Sequence, residues 1–219
     1  MLRLSRCNGT PNIGVYATAN EDLALVAANA GPGFAAEVEA ALGVEAVQTT
    51  VSGSFVVGSL ARMNSNGAVV SGMIEASELD AIKSRIGVTV LPDKANAAGN
   101  NILANDNGAV INPALGAPAA RRVADALGVE VVRSAIAGCG VVGSVCAATN
   151  KGCVCCAGAT EEDMALLRDV LGVEARKASV NHGSPQVGAG MLCNSKGALV
   201  GDETTPVEMG RIEDGLALY

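Results

Sequence analysis

Residues 56–70, VVGSLARMNSNGAVV, read as two short apolar strands folded about the turn Asn64-Ser65-Asn66-Gly67. Asn-Gly between apolar runs is a strong short-range hairpin signal, because both residues tolerate the left-handed backbone such turns need. The stretch has close relatives elsewhere in the chain. Taking Gly58 and Asn64 as a ruler, the same offset finds Gly14 with Asn20, Gly99 with Asn105, Gly143 with Thr149 and Gly188 with Asn194. Successive glycines stand 41 to 45 residues apart. Self-similarity at such a period marks a repeat architecture.

Three features move with the ruler. After the turn residue the chain reads EDLALV, SNGAVV, DNGAVI, NKGCVC and SKGALV, each a tight turn feeding an apolar strand. Four units then carry a helix that ends in nearly the same word: Leu42-Gly43-Val44, Ile86-Gly87-Val88, Leu127-Gly128-Val129 and Leu171-Gly172-Val173. Gly just past the last apolar position caps a helix, and the β-branched residue after it begins a strand. The pairs Ser77/Asp80, Thr160/Asp163 and Thr205/Glu208 resemble capping boxes, and Pro118 and Pro206 suit a first helical turn. Leu79, Ile82 and Ile86, or Val123 and Leu127, make one buried stripe each. Each unit is thus strand, turn, strand, helix, strand.

The ends differ from the middle. The fifth unit stops at Tyr219 after its helix, while LRLSRC precedes the first ruler glycine, where the other units place their closing strand. Lending that strand to the last unit closes a ring and removes open sheet edges. The reading is an α/β fold of five ββαβ units about a pseudo-fivefold axis, a single domain over 1–219. Its repeats run over 12–53, 54–95, 96–140, 141–185 and 186–219, after an N-terminal strand segment 1–11. Two separate α/β domains are the alternative, against which the even spacing and lack of a linker argue.

Composition bounds the function. Hydrophobic residues make up 49% of the 219, which excludes disorder, yet there is no Trp and only two Phe and two Tyr, so Ala, Val, Leu, Ile and Gly fill the core. With a formal charge of −7 and no basic run, the chain lacks the Lys/Arg stripe and aromatic platforms of a nucleic-acid binder. Any meeting with RNA would leave most of the contact to a protein surface. The N-terminus has no apolar run to make a signal peptide, and the uncharged stretch 134–150 is too short and too interrupted to span a membrane. The expectation is a soluble, cytoplasmic monomer with no membrane partner and no cofactor. Seven cysteines in such a context read as reduced thiols.

At this point four segments carry a likeness: NIGVYATANED (12–22), GNNILANDNGAVINPAL (99–115), VVGSVCAATNKG (141–152) and VNHGSPQVGAGMLCNSKGALVGDETTPVEMGRI (180–212). They resemble the signature segments of the translation initiation factor six family, the ribosome anti-association factors of archaea and eukaryotes. The resemblance runs along essentially the whole chain. It implies a pentein fold, a five-bladed α/β propeller, and binding to the subunit-joining face of the large ribosomal subunit. The partner it implies is mainly an L14-family ribosomal protein beside the sarcin-ricin loop, with limited rRNA contact. It further implies steric exclusion of the small subunit, with no covalent chemistry. A role in large-subunit maturation is compatible with it.

Residues following the ruler glycines, Val15, Ser59, Asn100, Ser144 and Ala189, occupy equivalent places and should ring one end of the axis. The family's ribosome-facing surface includes that end, so the resemblance points to Ser59, Asn100, Ser144 and Ala189, with Gln186 before the last ruler glycine. Eukaryotic members often carry a bulkier basic residue where this chain has Ser59. The alternative for all five is that small side chains merely suit a tight symmetric rim.

Two constellations invite other chemistry. Cys153, Cys155 and Cys156 tempt toward zinc but lack paired ligand spacing, and the repeat places Cys153 and Cys155 at core strand positions. Cys193 and His182 would be nucleophile and base if the chain were one of the guanidine-modifying enzymes that share the pentein fold. Cys193, however, precedes the turn Asn where other units have Ala or Met, and His182 sits in an NHGS loop suited to a cap or to solvent. GCGVVG (138–143) matches a dinucleotide string without a helix in the expected register, and GAPAAR lacks a phosphate-loop Lys. The acidic TEEDM segment at 160–164 reads as a helix N-terminus complementing the dipole.

Overall fold

The computed structural model describes all residues except Asp93 and Ala95, so the expected boundary at residue 95 lies outside the described residues. Its strands form five separate three-stranded sheets. In the first, β2 (Ala17–Ala19) pairs antiparallel with β3 (Leu23–Ala27), which pairs parallel with β4 (Glu45–Thr49) after the crossover helix α1 (Pro32–Leu42). The next three sheets repeat this order. They are β5 (Ala61–Met63), β6 (Ala68–Ser71) and β7 (Val88–Leu91); β8 (Ile102–Ala104), β9 (Gly108–Ile111) and β10 (Glu130–Arg133); and β11 (Cys146–Ala148), β12 (Cys153–Cys156) and β13 (Ala175–Ala178). In the last sheet β14 (Met191–Asn194) pairs with β15 (Gly197–Gly201), and the third strand is the N-terminal β1 (Leu2–Ser5), parallel to β15 with Leu2 opposite Ala198. The loaned strand is therefore where the repeat requires it.

No sheet is itself closed. The first strand of each sheet touches the first strand of the next, and β14 in turn touches β2. The crossover helices bridge neighbours: α5 (Ala117–Leu127) packs on its own β10 and on β6 and β7, α7 (Glu161–Leu171) on β13 and on β9 and β10, and α1 on β4 and on β15 and β1. The helix of the last unit, α8 (Pro206–Leu216), packs on β12 and β13. Small residues permit this closeness. A Cβ on Gly67, Gly108, Gly152 or Gly197 would overlap a backbone carbonyl of the following unit's helix. The first sheet has no such glycine, and the crossover helix of the following unit, α3 (Ala76–Lys83), is the shortest of the five. The middle strands are buried along their whole length and supply most of the core, with Leu42, Ile82, Val123, Leu127, Leu167, Leu171 and Ile212 pressing on them from the helices.

Local signals held in most places. Thr160/Asp163 and Thr205/Glu208 form reciprocal capping boxes, and Gly43, Gly128 and Gly172 end their helices at φ near +61° to +64°. The second unit departs from both expectations. Its capping box is Glu75/Glu78 rather than Ser77/Asp80, because α3 begins at Ala76, and the helix stops at Lys83 with Ser84 as its right-handed cap, so Gly87 caps nothing. The first apolar run of the opening stretch also differs. Val57–Leu60 is a single helical turn, α2, and only Ala61–Met63 extends as a strand. Equivalent turns stand at Ile13–Val15 (a 3-10 turn), α4 (Ala98–Asn101) and α6 (Val142–Val145), so GCGVVG does run into one helical turn, contrary to the sequence reading.

Candidate functional site

The five ruler glycines meet around the axis. A Cβ on Gly58 would collide with the carbonyl oxygen of Gly14, one on Gly99 with that of Gly58, one on Gly143 with that of Gly99, one on Gly188 with that of Gly143, and one on Gly14 with that of Gly188. The circuit returns to its start, so five one-turn segments are stacked backbone to backbone at one end of the axis. Only hydrogen fits between them.

The residues singled out for binding stand on this rim. Ser59, Asn100 and Ala189 are half-buried, Gln186 is exposed, and Ser144 is 7% exposed. Ser144 lends its carbonyl to the Ala189 N–H at 3.1 Å, which ties the fourth and fifth units together. The fold thus gathers Ser59, Asn100, Ser144 and Ala189 at one end, and Gln186, whose carbonyl accepts from the Gly190 N–H, precedes the same turn. Of these, Gln186 offers a partner the most reachable side chain.

At the other end the ruler Asn residues form a second circuit. Each Oδ1 accepts from the two N–H groups that close its own turn; for Asn64 these are Asn66 (3.0 Å) and Gly67 (3.2 Å). Each Nδ2 reaches the neighbouring unit: Asn20 donates to the Asn64 carbonyl (2.8 Å), Asn64 to that of Asn105 (3.1 Å), Asn105 to that of Thr149 (3.0 Å), and Asn194 to that of Asn20 (3.1 Å). Asn64, Asn105 and Asn194 also donate to the last carbonyls of a neighbouring helix, at Leu127, Leu171 and Leu42. The circuit breaks only where Thr149 stands in place of Asn, since its hydroxyl closes its own turn and has no amide to extend. The ruler residue is thus a turn former and an inter-unit clamp at once. Its offset showed in the sequence; the second role required knowing which unit follows which.

Outside this belt, Ser65 donates to Asp106, Asn150 to Asp106, and Ser195 to Glu21. Among the described residues no three His, Cys, Asp or Glu side chains are grouped to hold a metal ion. Cys153, Cys155 and Cys156 lie buried along β12, as the repeat implied, with Cys155 directly opposite Cys146. Burial pushes the Cys153 thiol well above its ordinary range.

Cys193 and His182 do not form a catalytic pair. Burial pushes the Cys193 thiol up to about 12, against the opposing pull of Arg62. His182 is exposed at φ +60° in the turn before β14 and makes no hydrogen bond to Cys193. A thiol that burial holds protonated, with the Glu21 carboxylate pushing it the same way, is not an activated nucleophile.

The residue that sequence reading missed is Arg62. It is the middle residue of β5, four after its ruler glycine, and the same position in the other units holds Thr18, Leu103, Ala147 and Leu192. These side chains come from the strands around the axis, and Arg62 is the one charge among them. Its Nη2 donates across the ring to the carbonyls of Gly99 (3.0 Å) and Gly143 (3.4 Å). Burial lowers the affinity of this guanidinium for its proton. Aligning the repeats at that position shows a lone charge in a small or apolar column, which is the signal that was available.

Comparison with known proteins finds similarity along nearly the whole chain. Residues 2–215 match the eIF-6 family. A protein named Translation initiation factor 6 from Methanocorpusculum labreanum is 45% identical over 210 residues, 94% of this chain and 95% of its own length. Proteins of the same name from Haloquadratum walsbyi and Methanosarcina mazei are each 40% identical over 218 residues, 99% of this chain and 96% and 98% of their own lengths. No helix among the described residues is long and apolar enough to cross a membrane. On the strength of a match that spans the repeats from the first to the last, the chain belongs to the eIF-6 family.

Proposed function

We propose that this protein is a translation factor that binds the large ribosomal subunit on its subunit-joining face and sterically prevents association with the small subunit. The observation that carries this reading is the end-to-end match to proteins named Translation initiation factor 6. The five units act as one closed propeller of the pentein type, a reading supported by the two axial circuits and by contact between β14 and β2. A rigid body suits the task, because occupying part of an extended protein–RNA interface blocks joining without any chemical step. The factor is non-enzymatic, a reading supported by a Cys193 thiol that burial holds protonated.

Its partner is mainly an L14-family ribosomal protein beside the sarcin-ricin loop, engaged through the glycine end of the axis by Ser59, Asn100, Ser144, Ala189 and Gln186. The net charge of −7 favours docking on protein and limits contact with rRNA. The factor works as a cytoplasmic monomer and contributes to maturation of the large subunit as well as to initiation. Sucrose-gradient sedimentation with separated subunits tests the binding step. Comigration with large subunits and not with small ones is expected; absence from both across a range of salt would refute it.

A further inference from the structure

We propose that the axial cavity between Arg62 and Thr18 binds a small inorganic anion of halide size, which serves as counter-ion to the half-buried guanidinium. Arg62 projects from β5 into the axis and spends Nη2 on the carbonyls of Gly99 and Gly143, while its Nε is buried without an acceptor. Thr18, at the equivalent position of β2 and 2% exposed, has a buried hydroxyl without a partner. Both side chains line one cavity of about 30 Å³, closed toward the rim by Gly14, Gly58 and Gly188. Two orphaned donors facing one space in a folded core mark a missing acceptor, since buried polar groups are otherwise satisfied.

The charge of Arg62 is also uncompensated. The ion pairs among the described residues are Arg6 with Asp202 and Glu203, Arg85 with Glu45, Lys177 with Glu161, and Lys196 with Asp22; none involves Arg62. The nearest groups able to carry negative charge are the Cys193 and Cys146 thiols, and burial keeps the first of these protonated at neutral pH, while the second is held so mainly by its hydrogen bond with Cys155. A water molecule would satisfy the two donors and leave the charge; a monatomic anion answers both. The cavity has room for one such ion. The positive guanidinium itself keeps cations out.

Crystals of the full chain grown in sodium bromide, with anomalous diffraction recorded at the bromine edge, test the site. A peak within hydrogen-bond reach of Arg62 Nε and Thr18 Oγ1 is expected. Ordered density there with no anomalous signal identifies water and overturns the proposal. In solution, thermal melts at fixed ionic strength, exchanging bulky gluconate for bromide, should raise Tm by about 3–6 °C per tenfold bromide once the site is saturating. The same exchange should leave the Tm of Arg62→Leu and of Thr18→Val with a smaller slope. An equal bromide slope in wild type and variants refutes the site, and the wild-type anomalous map decides the matter if a variant does not fold.

Discussion

The carbonyl oxygen of Gly58 occupies the place where a Cβ on Gly99 would have to go. Every ruler glycine stands in the same relation to its neighbour, so a single methyl group at any one of them pushes two units apart. Gly99→Ala should cost more than about 4 kcal/mol or prevent folding, because backbone on both sides leaves nothing flexible to yield. Gly33→Ala is the control. Gly33 lies inside α1 with open space at its Cβ, and there the substitution should stabilise by about 0.5–1 kcal/mol through helix propensity and a less disordered unfolded chain. Urea unfolding of the two variants measures both.

The Asn circuit makes a paired prediction. Asn64→Ala removes two donated and two accepted hydrogen bonds at a residue 3% exposed, and should destabilise by about 3–5 kcal/mol. Thr149→Asn supplies the amide the circuit lacks, positioned to donate to the Asn194 carbonyl, and should stabilise by about 0.5–1.5 kcal/mol. Failure of Thr149→Asn to raise Tm would mean the hydroxyl already meets the need of that turn.

Acid stability should depend on Glu208. Burial opposes its ionisation, but the N–H groups of Thr205 and Gly183 and the hydroxyls of Ser179 and Thr205 outweigh burial and hold the carboxyl down at about 2. A carboxyl depressed in the folded state stabilises fully above its ordinary range and loses that contribution as pH falls from there through about 2. The contribution near neutrality is about 3 kcal/mol. Glu208→Gln should therefore lower stability at pH 7 and lose much of that difference by pH 2, as followed by urea melts across the interval. Glu78 in α3, bonded to Thr50, Ser52 and Gly53, is held down in the same direction and should behave alike.

These two carboxylates show how much could be read in advance. Thr205/Glu208 was legible as a capping box from spacing alone, because the box is local. That Glu208 also grips the turn at Gly183, as Glu78 grips Gly53 and Asp163 grips Ala137, was not, because each contact spans 25 or 26 residues and joins a helix start to the loop that enters the same unit's first strand. The strand, turn, strand, helix, strand order and the loaned N-terminal strand followed from the ruler. The one-turn helices at the ruler glycines did not, since VVGSL has β-branched residues that favour extension, and what holds it helical is the neighbouring backbone. Arg62 was hidden for a similar reason: its strand reads as half of a hairpin, and that its side chain lies on the axis depends on how the five units are arranged.

The rim makes a functional prediction. Gln186→Arg and Asn100→Arg, which place bulk and charge at the glycine end, should weaken large-subunit binding at least tenfold, about 1.4 kcal/mol or more, with little change in Tm. Lys151→Glu, at an exposed position beside the opposite belt, should leave binding unchanged. Quantitative pelleting with large subunits reads both, and equal effects from the two ends would assign the contact elsewhere.

The most direct test of the account is subunit joining itself. Separated large and small subunits are mixed at raised magnesium with increasing amounts of the protein, and joined particles are counted on a sucrose gradient. The account predicts that joined particles fall in proportion to the protein bound on the large subunit, while the small subunit remains free and unmodified. Undiminished joining with the protein saturating the large subunit would contradict it.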